Sequence, residues 1–256
     1  VLALGAATHA ALADEPSVVH RERNFFGLLR VSETDLPGGG IERSLFHGTT
    51  RHGSERSDRP GEPSAYYGRY TGIGRLFAAR EEGAAWNVGV VGLGVGTLVA
   101  YARPGDRFSF YEIDPAVVAL ARSHFHFLGA PAVEPTIALG DGRLALEAER
   151  DAGAPPYDLL VLDAYSGDAM PVHMLTLEAV ELFADRVGPG GLLAFHVSNR
   201  SFDLAPLVAR LGAELDLHTL VLDSPHLPAE GSIRSIWVVL GPDPARLDAL
   251  GRAAEE

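Results

Sequence analysis

The sequence contains no cysteine, which excludes disulfide bridges, thiolate metal ligation and thiol nucleophiles, and says little about compartment. It has no apolar run long enough to span a bilayer, since the small-residue opening at 1–13 is too short. Cations are scarce. With 21 basic against 34 acidic side chains the formal net charge is −13, and such a chain is poorly made for nucleic-acid phosphates, which call for clustered basic residues. The same excess of acid attracts small cations. There are ten histidines, yet His124 and His126 sit beside Phe125 and Phe127 without ligand spacing to acids, so no metal site is expected. Internal repeats and low-complexity segments are absent as well.

At 256 residues the chain can bury one good core with a small appended domain. It begins without Met, and Ala11-Leu12-Ala13 before Asp14 could pass for a cleavage site. The preferred reading of residues 1–16 is the stub of an upstream segment, such as the end of a membrane helix, and it is set aside from fold reasoning. The rest is expected in the cytoplasm, free or as the soluble domain of a membrane-anchored protein. Residues 17–63 read as a small β-domain: SVVHRER, NFFGLLRVSE and IERSLFHGTT are strand-like, and 56–63 is a Pro-containing loop. Residues 64–256 read as a Rossmann-like domain in which strands and helices alternate. Its helices are expected at 70–82, 115–124, 143–150, 175–187 and 204–215. Strands are expected at 88–91, 108–113, 137–139, 159–163, 192–197, 218–222 and 236–240, the last two as a hairpin with one strand antiparallel. The fold class is thus α/β, a mainly parallel sheet with helices on both faces and ligands at the carboxyl ends of the strands.

The densest signal is Trp86 to Asp114. Gly92, Gly94 and Gly96 follow a buried strand and permit a tight turn with close backbone approach, and a helix is expected next. Glu112, twenty residues past Gly92 at the end of the second strand, can accept hydrogen bonds from both ribose hydroxyls. Asp141, within Gly140-Asp141-Gly142 after the third strand, can accept from an adenine amino group. Thr97 replaces the third glycine of the dinucleotide pattern, and no basic residue lies near the glycines. A cationic adenosyl sulfonium, S-adenosylmethionine or its decarboxylated form, fits this arrangement better than the pyrophosphate of NAD. The plain alternative is a glycine turn that only connects two elements.

The fourth strand ends in Asp163 and continues as Ala164-Tyr165-Ser166-Gly167-Asp168. With Glu112 and Asp141 given to the nucleoside, Asp163 and Asp168 remain for the group that reacts at sulfur. Carboxylates there suit an amine, because the nucleophile must be oriented and must lose a proton. A helix cap or turn is the structural alternative for each. Tyr66, Tyr67, Tyr165 and His196 are candidates to touch the substrate; seam packing is the alternative for the pair Tyr66 and Tyr67, and loop hydrogen bonding for His196 and Asn199. His173 could shuttle a proton or simply face solvent. Trp86 and Trp237 read as core.

These residues resemble the polyamine aminopropyltransferases, the spermidine and spermine synthases. The likeness runs through YEIDP at 111–115, GDG at 140–142 and LVLDAYSGD at 160–168. It is closest to spermidine synthase-like domains fused behind membrane segments, whose HGTT, YYG and FHVSN patterns match 47–50, 66–68 and 195–199. The resemblance implies a β-domain before a Rossmann-like domain, ribose on Glu112, adenine on Asp141, amine handling by Asp163, a tyrosine near the amine at Tyr66, and a homodimer. Three departures stand out. Val95 occupies the place of the acid in GGGDGG, Ser166 that of a second acid that has moved to Asp168, and Arg51 that of a glutamine, where a cation disfavours a diamine. The resulting expectation is aminopropyl transfer from decarboxylated S-adenosylmethionine to an amine with release of methylthioadenosine. The alternatives are use of intact S-adenosylmethionine for methyl transfer, aminocarboxypropyl transfer or cleavage, and a non-catalytic adenosyl-binding regulatory domain.

Overall fold

The computed structural model describes residues 16–129, 131–165, 170–199 and 202–253. Residues 1–15 of the expected stub, and Ser166 and Asp168 of the acid loop, lie outside them. Among the described residues no helix is long and apolar enough to cross a membrane.

β1 (Ser17–Asn24), β2 (Gly27–Asp35), β3 (Ile41–His47) and β4 (Thr50–Arg56) form an antiparallel meander in that order. The fourth strand corrects the reading of three strand segments. Its cause is the turn: Gly48 takes φ +60° and His47 pairs with Thr50, so the chain reverses over two residues and 51–56 pairs back onto β3. β4 is bulged. Gly53 pairs with Leu45 and Arg51 with Phe46, which leaves His52 as the extra residue, a device that re-aims a side chain.

The second sheet contains β5 (Asn87–Val91), β6 (Arg107–Glu112), β7 (Thr136–Leu139), β8 (Tyr157–Leu162), β9 (Val187–His196), β10 (His218–Ser224) and β11 (Ser235–Gly241). Their order is β10-β11-β9-β8-β5-β6-β7, parallel throughout except that β11 runs antiparallel to both neighbours, the hairpin anticipated from the sequence. Strand order reverses at β5, with β6 on one side and β8 on the other, and the crevice at such a switch point is where ligands bind in open α/β sheets. Its helices are α1 (Gly72–Ala78), α2 (Pro115–His124), α3 (Gly142–Asp151), α4 (Leu177–Arg186), α5 (Ala205–Glu214) and α6 (Pro244–Ala253). α1 is shorter than expected and α6 was not anticipated. In place of the helix expected after the glycines there is a five-residue 3₁₀ turn, Thr97–Tyr101. β-branched Thr97 and Val99 favour an α-helix weakly, and Pro104 drives the chain into extended backbone.

Side chains alternate across the strands, so the sheet feeds two cores. Leu159 and Val161 join Phe77, Leu120 and Leu247 on one face, while Leu160 and Leu162 join Leu146, Phe183 and Val208 on the other. Leu29, Val31 and Leu45 of the small sheet belong to the first core, so the meander is packed onto the glycine-loop end of the large sheet. Each such fully buried side chain contributes about 1.5–3 kcal/mol. That packing brings β4 over the loop after β5.

Candidate active site

Two adjoining cavities lie where the meander meets the switch point, one of about 350 Å³ and one of about 240 Å³. His52, Gly94, Asp163 and Tyr165 line both. The glycines make that junction. Gly92 (φ +99°) approaches so closely that a Cβ would sit 2.3 Å from the Asp163 carbonyl oxygen, and one on Gly94 (φ +54°) would sit 2.4 Å from the carbonyl oxygen of bulged His52. Gly96 lines neither cavity and sits under Leu128. Val95, at the position where the resemblance leads one to expect an acid, is buried and faces Gly53 of β4.

The first cavity is lined by Glu112, Asp114, Asp141 and Asp163 and, among the described residues, by no arginine, so its field favours a cation. Glu112, at the end of β6, is 8% exposed. Its Oε2 accepts from the Leu93 N–H (3.0 Å) and its Oε1 from the Asp114 N–H (2.9 Å). Each oxygen retains a second acceptor direction. Burial raises the Glu112 pKa above the ordinary carboxylate range, with the two backbone donors opposing that shift. Asp141 Oδ1 caps α3 through the Arg143 and Leu144 N–H groups (2.9 and 3.1 Å), and its other oxygen is 3.3 Å from His173 Nε2. Gly142 completes the wall, since a Cβ there would lie 2.5 Å from Val91. The sequence thus named a carboxylate that is both a helix cap and a cavity residue. His173 lines this cavity, beside Asp141.

Asp163 follows β8 and joins the two spaces. Tyr67 Oη donates to its Oδ2 at 2.6 Å, and His196 Nδ1 lies 2.7 Å from its Oδ1. His196 Nε2 is 2.8 Å from Ser198 Oγ, which also accepts from the Ile236 N–H at 2.8 Å. One tautomer joins these groups in a single chain: the Ser198 hydroxyl donates to Nε2 and Nδ1–H donates to Asp163. Every member is satisfied while Asp163 is a carboxylate. Desolvation and the neighbouring Asp163 push the Tyr67 pKa far up, so its phenol stays protonated and keeps donating. The His196 ring stacks on Trp237 at 4.5 Å and has Tyr66 at 5.1 Å, so an aromatic box fixes the imidazole. Trp237 is core, as read from the sequence, and also the floor under His196.

The second cavity is lined further by Tyr66, Tyr67, His196, Ser198, Arg51 and Arg234. Tyr165 shares its hydroxyl proton between the carbonyls of His196 (2.8 Å) and Ser198 (3.2 Å), which leaves its ring facing both spaces. Sequence reasoning missed His52, Ser198 and Arg234. His52 Nε2 is enclosed and has no hydrogen-bond partner, and burial lowers the His52 pKa to about 4, so this ring is neutral. The signal for it was present in HGTTRH, but only the bulge tells that position 52 is the one aimed at the glycines.

No protein-family model matches the chain. The polyamine aminopropyltransferase of Vibrio vulnificus (strain CMCP6) is 28% identical over 138 residues, which is 53% of this chain and 44% of that protein. The chain therefore matches less than half the length of this curated relative. Among solved structures, a probable spermidine synthase from Corynebacterium glutamicum ATCC 13032 superposes with a TM-score of 0.66 at 18% identity, over 93% of this chain and 86% of that one. A spermidine synthase in complex with the transition-state analogue AdoDATO superposes with a TM-score of 0.60 at 13% identity, over 90% and 75%. At these identities the likeness shows the fold, a Rossmann-like sheet behind a small β meander. The curated relative is named for polyamine aminopropyl transfer, the family that the motifs at 111–115, 140–142 and 160–168 resemble.

Proposed function

We propose that this chain transfers an aminopropyl group from decarboxylated S-adenosylmethionine to an amine and releases methylthioadenosine. The observation that carries the reading is the position of Asp163 as the one carboxylate common to both cavities, held from two sides by Tyr67 and His196. The names of the curated relative and of the superposed synthases point the same way. In this reading residues 17–63 act as a wall-forming β-domain and 64–256 as the catalytic domain.

The donor occupies the larger cavity. Glu112, whose rotamer is set by the Leu93 and Asp114 N–H groups, takes the ribose hydroxyls, and Asp141 takes the adenine amino group. Gly92 and Gly94 let the nucleoside pass beside bare backbone. Four lining carboxylates favour the sulfonium and the ammonium of the decarboxylated donor, and no arginine among the described lining residues meets a donor carboxylate. The acceptor occupies the smaller cavity with its nitrogen at Asp163. Asp163 orients the nitrogen along the line of the breaking C–S bond and takes up its proton or passes it to water, while Tyr66 and Tyr165 exclude bulk solvent. The new N–C bond forms as the C–S pair leaves with sulfur.

An incubation of the purified chain with decarboxylated S-adenosylmethionine and a panel of amines, read by mass spectrometry, tests this. Methylthioadenosine together with an extended amine is the expected outcome. Adenosylhomocysteine formed from the intact donor, or no product with any acceptor, overturns it.

A further inference from the structure

The smaller cavity is uneven in charge along its depth. Asp163 and His196, whose side chains are 11% and 4% exposed, lie at its inner end. Arg51 of β4 and Arg234, just before β11, line the same cavity and are more exposed, with side chains 27% and 62% accessible. The chain has no lysine, so each of these cations is a planar guanidinium of the kind that grips carboxylates by two hydrogen bonds.

Both arginines are held in direction by acids that do not line the cavity. Arg51 Nη1 is 3.2 Å from Glu42 Oε2 and its guanidinium lies over the Phe46 ring at 5.6 Å. Arg234 meets Asp223 through Nε at 3.0 Å and Nη2 at 2.6 Å. A guanidinium offers five N–H donors, so these pairs position each arginine and leave donors for a second anion. Asp163 is the sole carboxylate among the described lining residues. A diamine seated with one nitrogen on Asp163 would bring its second ammonium toward two guanidinium groups, and the acids that hold them, Glu42 and Asp223, are not among the described lining residues.

Resting on the transfer reading above, the geometry points to a small amino acid as the acceptor, with its amine on Asp163 and its carboxylate on Arg51 and Arg234. The volume of about 240 Å³ suits a molecule of that size. The lone pair of the amine forms the N–C bond, the C–S bond breaks with its electrons on sulfur, and the lost proton leaves through Asp163 to water. The product is a secondary amine that keeps the acceptor's carboxylate.

The test compares acceptors of equal length, 4-aminobutanoate and 1,4-diaminobutane, by calorimetry on the full chain saturated with methylthioadenosine. We expect the amino acid to bind at least about tenfold more tightly, and Arg51→Gln and Arg234→Gln each to weaken it about fivefold or more while raising the relative preference for the diamine. Arg234 is largely exposed, so its variant keeps the fold, and Arg51→Lys retains charge without the fork. Tighter binding of the diamine, or a preference unmoved by all three variants, overturns the inference. Turnover separates it from the transfer reading: methylthioadenosine released with the diamine but not the amino acid sinks only the inference. Arginine-dependent binding of the amino acid, without release from the donor and any acceptor, supports the carboxylate site on Arg51 and Arg234 and sinks the transfer reading together with the acceptor role.

Discussion

The two cavities differ in how they are built. The larger one is made by backbone: three successive strand ends, two glycines with positive φ and two helix caps fix its carboxylates. The smaller one is made by side chains that arrive from β4, the 66–67 segment, the end of β9 and the start of β11. A site formed by local backbone geometry can be read from spacing. One formed by convergence of distant segments cannot, and it is free to change its ligand without disturbing the fold.

The hardest blow to that comparison falls on the residue the two spaces share. Asp163→Asn keeps the volume and the Tyr67 hydrogen bond, and should lower turnover by roughly 10²-fold or more while donor affinity, measured by calorimetry, stays close to that of the parent. If turnover survives, the two spaces do not meet at a reacting centre. Next in size is Gly92→Ala, which forces a Cβ to within 2.3 Å of the Asp163 carbonyl oxygen and sets alanine at φ +99°. Thermal unfolding should report a loss of roughly 1–3 kcal/mol, and the donor should no longer bind. A variant that binds the donor normally would show the larger cavity to be insensitive to its backbone.

A pH titration sharpens the role of Glu112. Its folded-state pKa is raised, so in the empty protein the neutral form is favoured at acid pH and that contribution to stability is lost as pH rises through the raised pKa. Ribose hydroxyls donate to the ionised form. Donor affinity should therefore rise with pH across the window above the ordinary glutamate value and level off once Glu112 is charged. A profile that is flat there in the parent, or unchanged in Glu112→Gln, removes Glu112 from the ribose. The smallest effect is expected for Asp141→Asn. Asparagine caps helices as well as aspartate does, so α3 and overall stability should hold while donor affinity falls about tenfold. Loss of stability in step with affinity would make Asp141 a cap alone.

How much of this was legible follows from the same contrast. Glu112, Asp141 and Asp163 were found because each stands at the end of an apolar run, and in a parallel sheet all such ends share one edge. The helix after Gly96 was misplaced because an apolar stretch with glycines before it looks the same whether it winds as α or 3₁₀, and Pro104 decides between them. β4 was missed because RHGSER has no apolar alternation; its register comes from the Gly48 turn. Arg234 carried no local signal and His52 none beyond the run HGTTRH, being polar residues in polar surroundings until their segments are packed together.

What the chain order alone determined is the sheet and the edge at which acids collect, because strand period, turn glycines and helix caps act over a few residues. Only tertiary packing decided that a bulge sets His52 against Gly94, that Asp163 is clasped by Tyr67 and His196, and that two arginines line a second space with it. Those contacts join residues far apart in sequence, and their energies exist only after the meander has settled on the core it shares with the large sheet.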